Sequence, residues 1–392
     1  MNGMLRLCAF AVPEACAQAH EGFFPWLSSL TRPRTLVAAS GFVPKLPIRL
    51  PAHPFACGQV GRGSRVGRQD EGVQMRYRCA VLDDYQNVAM KFVDWGQIAA
   101  DVDVTVFNKP MTGSDETHRA LQDFHIVCMM RERTPFRRNT IEALPNLKLL
   151  ITTGARNASI DMAAAAERGI TVCGTGSFGN PTTSIAFGLI LELTRRIGYE
   201  HMRLKSGGLW QVTLGLDIEG KTLGVIGLGK LGLRVAGVAK AFGMKVIAWS
   251  PNLTPEKCRE AGVDYSTKDE LFRNADIVTI HVQLGDRSRG LVTAREFALM
   301  KPTAYIINTA RGPIIDEKAL IAALEEHRIA GAGLDVFDVE PLALDHPFRR
   351  MDNVVITPHL GYVSEQNYQR YFPDTVENIR AFIDGKPVRV IK

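Results

Sequence analysis

Short apolar runs alternate with amphipathic stretches from about Met75 to the end of the chain. In the first part of that region, Arg78 to Leu82, Val102 to Phe107, His125 to Met129 and Lys148 to Thr152 read as strands, with helical patterning between them. Strands that alternate with helices form a parallel sheet, so this is a small α/β unit. Pro181 then opens a long helix in which Ile185, Leu189, Leu193 and Ile197 recur at the spacing of one buried stripe. A second unit starts at Lys221. Its strands are Thr222 to Ile226, Lys245 to Trp249, Asp276 to His281, Ala304 to Thr309, Gly331 to Asp335 and Asn353 to Thr357. Thr254 before Pro255 marks one helix start, and capping boxes mark two more, Thr267 with Glu270 and Thr293 with Glu296. Six strands separated by helices predict a doubly wound sheet. The closing helix, about Asp374 to Asp384, has no place in that sheet and is expected to pack on the first unit. The predicted organisation is two doubly wound parallel-sheet domains, one inserted in the other. Residues 75–175 and 362–392 form the outer domain, residues 176–361 the inserted one, and the cleft between them holds the site.

Residues 1–74 break the pattern. They mix proline, glycine and arginine without sustained period, which predicts a poorly ordered extension. Their start weakly resembles a signal peptide around Ala15-Cys16-Ala17, and their arginine content weakly resembles a transit peptide. The plainer reading is an upstream start codon, because Met75 directly precedes the first strand. Eight basic residues against four acidic ones place +4 of the net +6 in this stretch. The remaining +2 implies no basic face for nucleic acid. The seven cysteines show no C-x-x-C pair and no metal-ligand spacing, so no metal is expected and a reducing cytoplasm is the simplest setting. No apolar run is long enough for a membrane span. The best candidate, Ile185 to Leu193, is followed by Thr194-Arg195-Arg196 and reads as a buried helix.

Against this frame, Gly227-Leu228-Gly229-Lys230-Leu231-Gly232 is informative because it follows an apolar strand and opens a helix. Gly227 allows the tight turn, Gly229 lets the backbone approach a pyrophosphate, and Gly232 lets helix and strand pack closely. The free amides at the helix start, from Lys230 and Leu231 onward, would hold phosphate. At the end of the next strand, Trp249-Ser250-Pro251-Asn252 carries no carboxylate. Ser250 remains to bond a ribose hydroxyl, but nothing there repels a 2′-phosphate, and no arginine clamps one, with Asn252, Thr254 and Lys257 as its weak contributors. NAD is the first expectation and NADP the contender.

Three polar residues follow three strands of the second unit: Arg311 after Thr309, Glu340 beyond Asp335, and His359 after Thr357. Ligands of such sheets bind beyond the carboxyl ends of the strands, so all three are expected in one cleft. Singly, each is more often a surface ion pair, a loop cap or a core histidine. Together they match the needs of a 2-keto acid. A guanidinium fork neutralises its carboxylate and polarises its carbonyl. An imidazole supplies the proton that an alkoxide needs after hydride addition, and a carboxylate orients that imidazole.

On these residues the chain resembles the D-isomer-specific 2-hydroxyacid dehydrogenase family. The resemblance covers about Met75 to Lys392 and rests on the glycine turn, Ile307-Asn308-Thr309-Ala310-Arg311-Gly312-Pro313, Gly333-Leu334-Asp335-Val336-Phe337 with Glu340-Pro341, and Thr357-Pro358-His359. It implies a Rossmann cofactor domain inserted in a flavodoxin-like substrate domain, and NAD(P)-dependent interconversion of a D-2-hydroxy acid and its 2-keto acid. It implies that Arg311 binds the substrate, that His359 is the acid/base and that Glu340 assists it. Asp335 would hold the nicotinamide amide, with Val282, Thr309 and Ala310 lining the cofactor. The loop Gly154-Ala155-Arg156 sits where the family's substrate domain touches the carboxylate, and Arg156 is bulkier than the usual residue there. Tyr362 places a phenol near the cleft, more plausibly as packing at the hinge. A homodimer joined through the cofactor domains is also implied. The second reading is a nucleotide-sensing binding or corepressor-like protein on the same fold, and the intact trio argues against it.

Overall fold

The computed structural model describes residues 76–111 and 113–392, and the expectations for residues 1–74 and for Met75 lie outside them. Two parallel sheets organise these residues. The first contains β1 (Tyr77–Val81), β2 (Val102–Val106), β3 (Ile126–Met129), β4 (Leu149–Thr152) and β5 (Thr171–Gly174), in the order β2-β1-β3-β4-β5. That is the flavodoxin-like order. The second contains β6 (Thr222–Ile226), β7 (Lys245–Trp249), β8 (Asp264–Tyr265), β9 (Ile277–Ile280), β10 (Tyr305–Asn308), β11 (Gly331–Leu334) and β12 (Val354–Ile356). Its order, β12-β11-β10-β9-β6-β7-β8, reverses direction between β6 and β9, which is the Rossmann switch point.

Most strands are rich in apolar residues because helices cover both faces, with β2 (Asp103, Thr105) and the edge strand β8 as exceptions. Along β1, Cys79 and Val81 enter one core while Ala80 and Leu82 enter another, the period of two of a pleated strand. In the second sheet, Leu223 and Val225 of β6 face one cluster and Ile226 faces the other. Two strands escaped the sequence reading. The strand β5 has only Val172 and Cys173 between Thr171 and Gly174, and β8 is a two-residue edge strand with both residues exposed, so neither stands out as an apolar run.

Two helices differ from expectation. The helix opened by Pro181 ends at Arg195, because Arg196 turns left-handed (φ 54°) and its amide closes on the Glu192 carbonyl. A separate helix, Ile197–Lys205, follows with no buried residue, and Ile197 is 56% exposed rather than part of the buried stripe. The closing helix starts nine residues earlier than expected, at Glu365, and runs to Ile383. Proline normally ends a helix, and Pro373 lies between the observed start and the expected one. Here it is tolerated inside, at a cost of about 3 kcal/mol. Burial of Tyr368, Tyr371, Phe372, Val376 and Ile379 in the core of the first sheet outweighs that cost, at roughly 1.5–3 kcal/mol per large side chain. Ser364 caps the helix by accepting from the Asn367 amide.

Candidate active site

The glycine turn joins β6 to the helix Lys230–Ala241. Gly227 sits at φ +99°, and a Cβ there would meet the His281 carbonyl carbon at 2.8 Å. A Cβ on Gly232 would lie 2.0 Å from the Gly227 oxygen, so helix and turn touch only because it is absent. A Cβ on Gly229 would meet nothing within 4 Å, which leaves its backbone open to a ligand. Gly229 also caps the helix without a side-chain bond, so the first amides are not covered by a cap. A cavity of about 650 Å³ adjoins the turn, lined in part by Gly227, Gly229, Ser250, Asn252, Lys257, Val282 and Arg287. An open backbone cradle, a helix start and a cavity at the switch point fit a dinucleotide.

Other residues expected at the cofactor lie deeper. Lys230 and Leu231 are the first residues of the helix and do not line the cavity, and Gly232 is buried beneath the turn. Thr309 and Ala310 are buried, with the Ala310 amide held by Asn308 Oδ1 and the Thr309 hydroxyl without a hydrogen-bond partner among the described residues. Asp335, expected at the nicotinamide, lies at the carboxyl end of β11. It is fully buried, and its carboxylate accepts from the Thr357 hydroxyl (2.6 Å) and from the amides of Leu360 (2.7 Å) and Gly361 (2.8 Å). Those bonds pin the loop that carries His359. Burial pushes the Asp335 carboxyl up, against the lowering effect of these donors and of His359.

His359 has φ +53°, a left-handed conformation that costs a non-glycine residue of order 1 kcal/mol and persists because the loop is tied down on both sides. Its Nδ1 lies 2.7 Å from Glu340 Oε2, and its ring borders a second cavity of about 470 Å³. With Nδ1–H given to the carboxylate, Nε2 is the ring position left for a substrate. Glu340 Oε1 accepts from the Phe337 amide. Burial alone would raise the Glu340 carboxyl. The bond and charge of His359, that amide and Arg133 outweigh it and hold the group below the ordinary carboxylate range.

Arg311 stands apart from this pair. Its guanidinium donates to the Ala310 carbonyl (2.7 Å) and to Glu132 Oε1 (2.9 Å), and no bond links it to Glu340 or His359 among the described residues. Glu132 is therefore the carboxylate on the arginine expected to hold a substrate carboxylate. Burial would raise its carboxyl, but Arg311 and Arg131 hold it below its usual value. Its Oε2 is buried and has no hydrogen-bond partner among the described residues, with Arg131 Nε at 3.8 Å.

The loop expected to touch substrate follows β4. Gly154 turns at φ +88° with its amide on the Thr175 hydroxyl, and this turn leaves Ala155 and Arg156 exposed, away from the cavity lining. The cation over Gly154 is Arg131, whose Nη1 would lie 1.9 Å from a Cβ there. Tyr362 lies behind the cavity, edge-on to the His359 ring at 5.7 Å, its hydroxyl accepting from Arg133 Nε.

The sequence reading missed the contribution of the first sheet. Asp83, Tyr85, Pro110, Met111, Arg133 and Thr134 line the His359 cavity from loops that follow β1, β2 and β3. Arg133 is the most engaged, bonding Glu340 Oε2 (2.5 Å), the His359 carbonyl (3.0 Å) and Tyr362. The signal was present: Arg131-Glu132-Arg133 follows a wholly buried strand, at the same carboxyl end that singled out Arg311.

Comparison with known proteins adds to this geometry. Residues 187–361 match the family model described as D-isomer specific 2-hydroxyacid dehydrogenase, NAD binding domain. A glyoxylate reductase of Aeropyrum pernix is 38% identical over 251 residues, covering 62% of this chain and 75% of that protein. A D-3-phosphoglycerate dehydrogenase of Synechocystis sp. is 38% identical over 265 residues, which are 67% of this chain. The match spans 47% of that relative, about half its length. The solved structure of a phosphoglycerate oxidoreductase from Vibrio cholerae aligns with TM-score 0.75 at 33% identity, covering 79% of this chain and 99% of that one.

Proposed function

The chain belongs to the D-isomer-specific 2-hydroxyacid dehydrogenase family, and from that premise we propose that it reduces a 2-keto acid to the D-2-hydroxy acid, and catalyses the reverse, with NAD(P) as its cofactor. The observation that carries this is the Glu340–His359 pair, 2.7 Å apart, on a cavity walled by both sheets. Bound nicotinamide supplies or accepts the hydride. The residues of this chain do the rest. Arg311 exchanges Glu132 for the substrate carboxylate and polarises the carbonyl. His359 Nε2 gives its proton to the alkoxide oxygen, while Glu340 orients the ring and stabilises the imidazolium. Asp335 holds the histidine loop from beneath.

The cavity wall is largely apolar beside the pair, with Pro110, Met111, Phe337, Leu342 and Ile356. It favours a keto acid with a sizeable apolar side chain over glyoxylate. NAD is the proposed cofactor. NADP is also accepted, because Ser250 stands without an acid and Lys257 lines the same cavity. Residues 75–175 and 362–392 form the substrate domain and residues 176–361 the cofactor domain, as the separate cores of the two sheets support.

A homodimer is proposed through the cofactor domains. Ile197, Met202, Leu209, Trp210 and Leu214 are all more than half exposed in one stretch of that domain, an apolar surface of the kind that partners cover. The four described cysteines are free and no helix among the described residues is long and apolar enough to cross a membrane. The free thiols support a reducing cytoplasm. NAD(P)H oxidation with glyoxylate, hydroxypyruvate, pyruvate and phenylpyruvate tests the reading. Turnover that is fastest with phenylpyruvate is expected, and no turnover with any of them at saturating cofactor contradicts it.

A further inference from the structure

We propose that Arg133 is a positioning residue that sets the acid strength of the Glu340–His359 dyad from the opposite sheet. Its side chain is 10% exposed and comes from the loop after β3. Its Nη1 lies 2.5 Å from Glu340 Oε2, the same oxygen that holds His359 Nδ1 at 2.7 Å. Its Nη2 donates to the His359 carbonyl and its Nε to Tyr362, so one planar fork grips two groups of the second sheet's loops and the tyrosine at the hinge. The inference rests on the dehydrogenase reading above.

A carboxylate oxygen shared by two cations holds each less tightly than it would hold one. Without its proton the dyad is anionic, and with it the dyad is neutral. A guanidinium alongside favours the anionic form, so it lowers the dyad's proton affinity and makes the imidazolium a stronger acid. The other charged or titratable groups around the dyad do not substitute for it. Asp335 lies beneath the loop and Tyr362 is edge-on to the ring. Arg349, Asp83 and Tyr85 line the cavity, with Asp83 bonded to Tyr85 and Thr134. Arg133 is the one guanidinium bonded to Glu340 among the described residues. Because it belongs to the first sheet and its target to the second, full acid strength requires the two sheets to be in contact.

The test is the pH dependence of kcat/KM for keto-acid reduction by the full chain carrying Arg133→Gln or Arg133→Lys. Reduction needs the protonated dyad, so the rate falls as pH rises through its apparent pKa. Arg133→Gln should move that falling limb upward by about one pH unit, a tenfold change in proton affinity. Arg133→Lys, which keeps the charge but cannot span all three partners, should move the limb upward by a smaller, resolvable step, less than half of that shift, and KM for NADH should stay constant in both. A loss of kcat at every pH with the limb unmoved would mean a purely structural role and overturn the proposal. Tyr362→Phe removes an anchor but no cation and should leave the limb in place. If Arg133→Gln fails to fold, Arg133→Met takes its place. If neither neutral variant folds, Arg133→Lys decides: its ammonium cannot span all three partners, and an unmoved limb overturns the proposal. If the wild-type chain reduces no keto acid, the dehydrogenase reading itself fails. If it turns over and the limb stands still in the variants, only the role of Arg133 is lost.

Discussion

The cavity at the glycine turn is lined by three loops of one sheet, whereas the cavity at His359 takes its walls from both sheets. In the first, backbone geometry does the selecting: an open Gly229, a left-handed Gly227 and a Gly232 that no side chain could replace. In the second, side chains that lie far apart along the chain do it, and Arg133 meets Glu340 across 207 residues. A contiguous turn is specified wherever its strand and helix form. A cleft between two sheets is specified only when both sheets have folded and met. The two cavities should accordingly fail in different ways when single residues are changed.

The largest effect belongs to the cleft. His359→Ala should lower kcat for keto-acid reduction by about 10²–10⁴-fold, the range of a lost general acid, while NADH affinity measured by fluorescence titration stays unchanged. Weakened NADH binding in that variant would break the separation between the cavities. Arg311→Ala should follow, with kcat reduced and KM for the keto acid raised together, for a combined loss in kcat/KM of about 10²–10³-fold. Unchanged KM in steady-state assays would remove Arg311 from substrate binding. Gly232→Ala addresses the other cavity. Its Cβ would lie 2.0 Å from the Gly227 oxygen, so the turn must shift. NADH affinity is expected to fall by about tenfold or more, the equivalent of overpacking by 1–3 kcal/mol, with the Glu340–His359 pH profile unmoved. The smallest change sharpens cofactor choice: Ser250→Asp should shift the NAD/NADP ratio in kcat/KM by about tenfold toward NAD, because a carboxylate repels the 2′-phosphate. An unchanged ratio would show that the ribose is recognised elsewhere.

The same contrast explains what could be read from the chain. The glycine turn and the strands around it were legible because each rests on local pattern, and ten of the twelve strands among the described residues stand out between turn signals. The strand β5 and the edge strand β8 were not legible, because β5 holds only two apolar residues and β8 is two exposed residues. The closing helix starts earlier than its local pattern showed, and Pro373 sits inside it because its local cost is outweighed by aromatic residues buried against a sheet nearly 300 positions earlier. At the candidate site, strand ends pointed to Arg311, Glu340 and His359. The same rule applied to β3 would have found Arg133. What no local pattern shows is pairing: that Glu132 sits on Arg311, that Arg133 and His359 share one oxygen, or that Asp335 turns inward to hold a loop. Arg156 was judged by its bulk, but the left-handed turn at Gly154 leaves it in solvent.

A crystal structure of the full chain with NADH and oxamate, an unreactive 2-keto acid analogue, tests the convergence of these groups most directly. The expected result places the oxamate carboxylate on the Arg311 guanidinium in place of Glu132, and its carbonyl oxygen about 3 Å from His359 Nε2. Oxamate bound away from both groups, with Glu132 still on Arg311 beside ordered NADH, would contradict it.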